Sequence, residues 1–168
     1  MAKRQRKYKY LGPPEGQLWA WLTLELIESE AWQARSINCV RLIDSLICEH
    51  GHHRGLENGN LMATYDQLEK FGLSRGLIRA AVDEAEALGL IRVVRGGRWA
   101  QTNQPSKYTL TFYGKADGSP PTNDWKGVNV AAVRLAQRDA RERQAAKERR
   151  KRNLKNQDRG SITPTTVV

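Results

Sequence analysis

Apolar residues recur at Trp19, Leu22, Leu26 and Ile27, the spacing of a short amphipathic helix ending near Ser29-Glu30. Ser36 then stands as N-cap to a second helix, SINCVRLIDSLICEH. On it Ile37, Val40, Ile43, Leu46 and Ile47 make one stripe, with Arg41, Asp44, Ser45 and Glu49 facing the other way. Gly51 closes this helix, and GHHRGLENGN reads as a polar loop of turn residues. Leu61 to Ala63 suits a short strand. Thr64 next caps a short helix, YDQLEKF, with Gln67 three residues on as a capping box requires. Gly72-Leu73 turns the chain and Ser74 caps a longer helix, RGLIRAAVDEAEAL. Its buried face is expected at Leu77, Ile78, Ala81, Val82, Ala85 and Leu88, with Gly89 as left-handed terminator.

The period then changes from helical spacing to alternation. LIRVV and KYTLTFY are β-branched and aromatic runs, and Tyr108, Leu110 and Phe112 share one face. The stretch between them, RGGRWAQTNQPS, is too long and polar for a tight turn. Asp117 to Lys126 reads as a Pro/Gly-rich linker, followed from Val128 by an Ala- and Arg-rich helix to about Asn153. There is no internal repeat.

Helix, helix, turn, helix and hairpin in this order predict a mainly α chain with a small β-hairpin, a winged helix-turn-helix. The expected organisation is a basic arm over 1–16, the winged domain over 17–114 and a linker over 115–127. A basic helix over 128–153 and a polar, disordered tail over 154–168 complete it. In this architecture the second helix of the pair enters the major groove by its N-terminal end. The candidate contacts there are Ser74, Arg75, Gly76 and Arg79, with Thr64 at the head of the preceding helix. Arg is the side chain best shaped for two hydrogen bonds to guanine, and Gly76 allows close approach. Farther along, Asp83, Glu84 and Glu86 would repel phosphates, so the N-terminal end is the one expected to dock. In the wing, Arg95, Gly96, Gly97 and Arg98 set two cations beside a flexible turn, suited to phosphates or a minor groove, and Lys107 opens the returning strand. Trp99 can stack on a nucleotide or fold back on the sheet.

Charge adds the arms to this picture. The chain of 168 residues carries 28 Lys and Arg against 18 Asp and Glu, a net +10 that points to a polyanionic partner. Residues 1–10 hold five cations and no acid, and residues 134–159 hold eleven cations and four acids. The stretch between keeps the other twelve cations and fourteen acids, so it is slightly negative. Arg149, Arg150, Lys151 and Arg152 are the densest run and the expected site of phosphate contact by the C-terminal helix. That helix suits DNA phosphates or structured RNA. Its heptad seam is poor, since Ala132, Leu135 and Ala136 give way to charge; a homodimer stays open without a visible seam.

Other chemistry finds little footing. Cys39 and Cys48 on one helix stand about 13 Å apart, beyond the roughly 7 Å a disulfide spans, which suits a reducing, cytoplasmic setting. No convincing secretory signal is present, and no run approaches the roughly 20 apolar residues of a membrane span. Cys48, His50, His52 and His53 are close in sequence but lack the second ligand pair of a structural zinc site. No nucleophile motif, phosphate-binding glycine loop or paired-carboxylate context is present, so neither an enzyme nor a cofactor is expected.

The segments LIESEAW, ENGNLMATYDQLEKFGLSRGLIRAAVDEAEALGLIRVVRGG, SKYTLTFYG and PTNDW together resemble a family of bacterial winged-helix proteins. The family is common in α-proteobacteria and often carried on plasmids, phages and other mobile elements. The resemblance covers about residues 19–126. It implies binding of double-stranded DNA, with roles in transcriptional control or in replication and recombination (excision) control. The expectation is thus a sequence-selective DNA-binding protein, a transcriptional regulator first and a replication or excision control protein second. RNA binding through the basic arms is a further alternative, and a protein-interaction module another.

Overall fold

The computed structural model describes residues 16–99 and 102–160, with backbone alone at 98–99, 102–103, 140, 144, 147, 151 and 154–160. Most of the expected basic arm over 1–16, and the tail beyond 160, lie outside the described residues. Two compact units divide the chain, residues 1–128 and 129–168. The first is mainly α with a small antiparallel sheet of three strands.

Its first helical segment differs from the single helix expected through Trp19, Leu22, Leu26 and Ile27 to about Ser29-Glu30. Residues 17–23 form no regular element; Thr23 caps α1 (Leu24–Glu28), and Ser29 interrupts the chain before α2 (Glu30–Gln33). The break lies at Ser29, extended at ψ 147°, because its hydroxyl accepts from the Trp32 amide while donating to the Leu26 carbonyl. One small side chain so closes one helix and opens the next.

Helix α3 (Ile37–His52) starts at Ser36 as expected but runs through Gly51. It ends with Arg54 in the left-handed region (φ 53°), the Gly55 amide reaching back to the His50 carbonyl. Its buried face is rotated from the expected stripe. Cys39, Leu42, Ile43, Ser45 and Leu46 are buried, while Ile37 is exposed. The rotation follows from the partner at its N-terminus: the Glu84 carboxylate accepts from the Ser36 amide at 2.7 Å and the Ser36 hydroxyl at 2.5 Å. An acid at a helix N-terminus is favourable, and it fixes α3 against the helix that carries Glu84.

The capping box at α4 (Tyr65–Lys70) forms as its sequence dictates: the Thr64 hydroxyl accepts from the Gln67 amide, and the Gln67 side chain accepts from the Thr64 amide at 2.8 Å. Gly72 (φ 84°) then terminates α4, with Leu73 turned inward and buried. Arg41 of α3 donates to the Gly72 carbonyl at 2.5 Å, tying the turn to the core. The next helix begins later than expected. Residues Arg75–Leu77 form a 3-10 turn, Ser74 makes no side-chain cap bond, and α5 proper spans Ile78–Ala87. Leu77, expected in the core, is 47% exposed on that turn. Ile78, Ala81, Val82, Ala85 and Leu88 are buried as their spacing demands. Gly89 (φ 66°) ends the helix, with the Leu90 amide bonded to the Ala85 carbonyl.

Strands β1 (Leu61–Met62), β2 (Ile91–Val94) and β5 (Lys107–Leu110) order as β1-β5-β2, all antiparallel. Ile91 pairs Leu110 and Val94 pairs Lys107, while Leu61 pairs Tyr108. Between β2 and β5 the polar stretch forms a second ladder, β3 (Arg98–Trp99) with β4 (Thr102–Asn103). The Gln104 amide bonds the Gly97 carbonyl below it. Gly96 is required here: a Cβ on it would collide with the Gln104 carbonyl oxygen, so the two arms cross at their neck only without a side chain.

The stretch 115–127, expected as a linker, packs on the first unit. The Asn123 amide bonds the Thr111 carbonyl, the Ala116 amide the Asn58 carbonyl, and Trp125 is buried. Arg92 of β2 grips Asp124 through two nitrogens, at 2.6 and 2.9 Å. A Cβ on Gly89 would lie 2.8 Å from the Asp124 backbone carbon, so that glycine serves both the helix end and this crossing.

The second unit is one helix, α6 (Val130–Gly160), opened by the Asn129 side chain accepting from the Ala132 amide. It runs past the expected limit at 153. No helix of the described residues is long and apolar enough to cross a membrane.

Candidate nucleic-acid interface

The candidate face is the turn between α4 and α5, with the end of β2 tied farther along α5 through Arg95. Gly72 and buried Leu73 end α4 abruptly, so the chain re-enters helix at Arg75 with its first turn directed to solvent. Ser74, Arg75, Gly76, Leu77 and Arg79 are all exposed there. A Cβ on Gly76 would meet nothing within 4 Å, so the surface beside Arg75 is open.

The two arginines of this turn stand in different electrostatic settings. Arg79 is 85% exposed and has one long contact, 3.9 Å to Asp83. Arg75 is held across the turn: its Nη1 donates to Asp66 at 2.8 Å and to Glu69 at 2.9 Å, both on α4. Its guanidinium also lies over the Tyr65 ring, 5.5 Å from the centroid. The hydrogen bond to Asp66 and the charge of Glu69 raise the Arg75 pKa further, so the group is charged at every working pH.

Arg95, expected to reach outward from the wing, turns back instead. Its Nη2 donates to Asp83 at 2.7 Å and Glu86 at 2.9 Å, joining the hairpin to α5. This revises the picture of a bare acidic end on that helix. Asp83 and Glu86 are each paired with Arg95, and Glu84 is buried against Ser36. Lys107 donates to Asn60 at 3.2 Å, beside the first strand. Thr64 is exposed, but its hydroxyl serves Gln67 on both sides, as acceptor from the amide and donor to the side chain. It is a helix cap before it is a contact. Gly97 is open and Gly96 is enclosed at the neck. Arg98 sits on β3, and its side chain, like that of Trp99, lies outside the described residues.

On α6, Arg149, Arg150 and Arg152 are exposed, and the side chain of Lys151 lies outside the described residues. These positions belong to the second unit. The structure thus brings together Ser74, Arg75, Gly76 and Arg79 around the start of α5 and ties Arg95 to the same helix, while Lys107 lies by Asn60 and β1.

Sequence reasoning missed the acids. Asp66 and Glu69 share a face at i, i+3 spacing, but the spacing alone points to solvent; the arginine they hold comes from beyond the turn. The two cysteines are free, Cys39 buried with its thiol pKa pushed up to about 12 by burial, and Cys48 exposed. Among the described residues no group of three or more His, Cys, Asp or Glu is placed to hold a metal ion.

No family model matches the chain, and no curated protein or solved structure does either.

Proposed function

We propose that this chain is a winged helix-turn-helix protein that binds double-stranded DNA with sequence preference and acts as a transcriptional regulator. The observation that carries the reading is Arg79, 85% exposed on the first turn of α5, beside an open Gly76 and a hairpin joined to the same helix through Arg95. A major groove about 12 Å wide admits such a helix, and the hairpin would flank it at the phosphates or the minor groove. The order of elements supports it: strand β1, two helices across a tight turn, then β2 and β5 pairing on either side of the short β3–β4 ladder. Net charge supports a polyanion as partner, and the arms carry most of it.

Selection of binding sites from random duplex DNA tests this directly. One preferred sequence should emerge, and Arg79→Ala should weaken it by about 1–3 kcal/mol while relaxing preference at one or two base pairs. Equal weakening on every duplex would assign Arg79 to phosphate instead. Recovery of structured RNA over duplex in direct competition would favour the second reading, for which the 31-residue arginine-rich α6 is the supporting observation.

A further inference from the structure

We infer that Asp66 and Glu69 are positioning residues that hold the Arg75 guanidinium for a two-bond contact with guanine. The inference rests on the DNA-binding reading above and names how one base pair is selected.

Nη1 of Arg75 carries two hydrogens, and its two acceptors are Asp66 and Glu69, at 2.8 and 2.9 Å. The acids therefore occupy one edge of the guanidinium. The other edge, Nε with Nη2, keeps two parallel N–H groups, and none of its bonds is to those carboxylates. Two parallel donors on a planar fork match the O6 and N7 acceptors of guanine in the major groove. The side chain is 59% exposed, and its hydrogen bonds to the two acids both run through Nη1.

Three further features make the arrangement directional. The Tyr65 ring lies under the guanidinium. Tyr65, Asp66 and Glu69 all stand on α4, whose start is set by the Thr64–Gln67 box and whose end is set by Gly72. Gly76 next to Arg75 leaves room for the groove wall. A guanidinium so held has already given up the rotamer freedom that an unpaired arginine loses on binding. Arg79, with its single 3.9 Å contact, lacks that support.

The acids also change what Arg75 attracts. One arginine with two carboxylates carries net negative charge, so the cluster gains nothing from phosphates in general. Its favourable contact is the directed one, which raises discrimination rather than overall affinity. The competing account is a latch, in which the same acids hold Arg75 away from DNA and repel phosphates. The two accounts give opposite signs.

The test uses the full chain and the duplex it selects. Binding at fixed salt is measured for the unaltered protein, Arg75→Ala and the Asp66→Asn/Glu69→Gln double variant. The duplexes are the selected one, a series with each base pair changed, and an unrelated sequence. Both changes lie on exposed positions, and thermal melting of each variant checks the fold. The expected result is an about tenfold loss of preference at one and the same G·C pair in both variants. Binding to the unrelated duplex should be unchanged or tighter in the double variant. Tighter binding of every duplex by one factor, with guanine preference intact, would establish the latch and overturn the inference. Selection of a sequence in which Arg75→Ala shifts no G·C preference would overturn it as well, leaving the DNA reading standing. Failure of the full chain to select any duplex would remove both together.

Discussion

Asn58 lies in a run of turn residues, yet it is one of the most enclosed side chains in the molecule, 1% exposed. Its amide nitrogen donates toward the carbonyls of Leu110, Tyr113 and Gly114, at 2.9 to 3.0 Å, and its oxygen accepts from the Leu110 amide at 2.8 Å. It thereby closes the backbone where β5 ends. Replacing it by alanine would leave those buried groups without partners, so Asn58→Ala should destabilise the fold by about 2–4 kcal/mol in chemical denaturation. The Arg75 cluster, by comparison, is exposed and should contribute little to stability. These two residues mark what the sequence could and could not reveal. Thr64 with Gln67, and Gly89 as terminator, were legible because each acts within three or four residues of itself. Asn58 bonds a segment 52 residues away and Glu84 one 48 residues away. No local pattern separates them from ordinary loop and helix-surface residues.

At the level of elements, boundaries moved where a side-chain bond competed with periodicity. The predicted first helix divides at Ser29 because a hydroxyl offers the backbone an alternative partner. The predicted linker over 115–127 is instead a strap held on the first unit. Pro, Gly and Asn in it read as flexibility, but they supply the turns that deliver Trp125 and Asp124 to their contacts. Asn123 adopts φ 49° in doing so. The strap should respond to acid in a calculable direction. The hydrogen bond from Arg92 holds the Asp124 carboxyl below the usual carboxylate range. A depressed folded pKa gives stability that is complete above the unfolded value of about 3.9. It is lost as pH falls through the folded value. Protection factors across residues 116–127, which allow for the slower intrinsic exchange in acid, should therefore fall at acid pH before the helices α3 and α5 open, and Asp124→Asn should show the lower protection already at neutral pH. Equal protection of the strap in both proteins would show that burial of Trp125 holds it without the ion pair.

Over the whole chain, charge and shape are separated. Residues 16–128, which hold every candidate for base contact, contain twelve cations and thirteen acids. Several of those cations are neutralised within the unit: Arg75 by Asp66 and Glu69, Arg92 by Asp124, Arg95 by Asp83 and Glu86. Under the proposed function, a body of that kind would have little to offer a phosphate backbone at large, which would limit its residence on wrong sequences. The eleven cations and four acids of residues 134–159 are the opposite case. On α6, positions 134, 138, 141, 149 and 152 fall on one side at 100° per residue, a stripe of arginines along a helix rising 1.5 Å per residue. Under the proposed function the stripe binds phosphates without regard to sequence. Deleting residues 134–168 should then lower affinity for the selected duplex and an unrelated one by the same factor. The slope of log affinity against log salt should flatten by about 0.9 for each phosphate contact removed. The ratio between the two duplexes, set by the turn at Ser74 to Arg79, should not move. A fall in that ratio would place part of the base selection on α6 and would require the division of labour between body and arm to be redrawn.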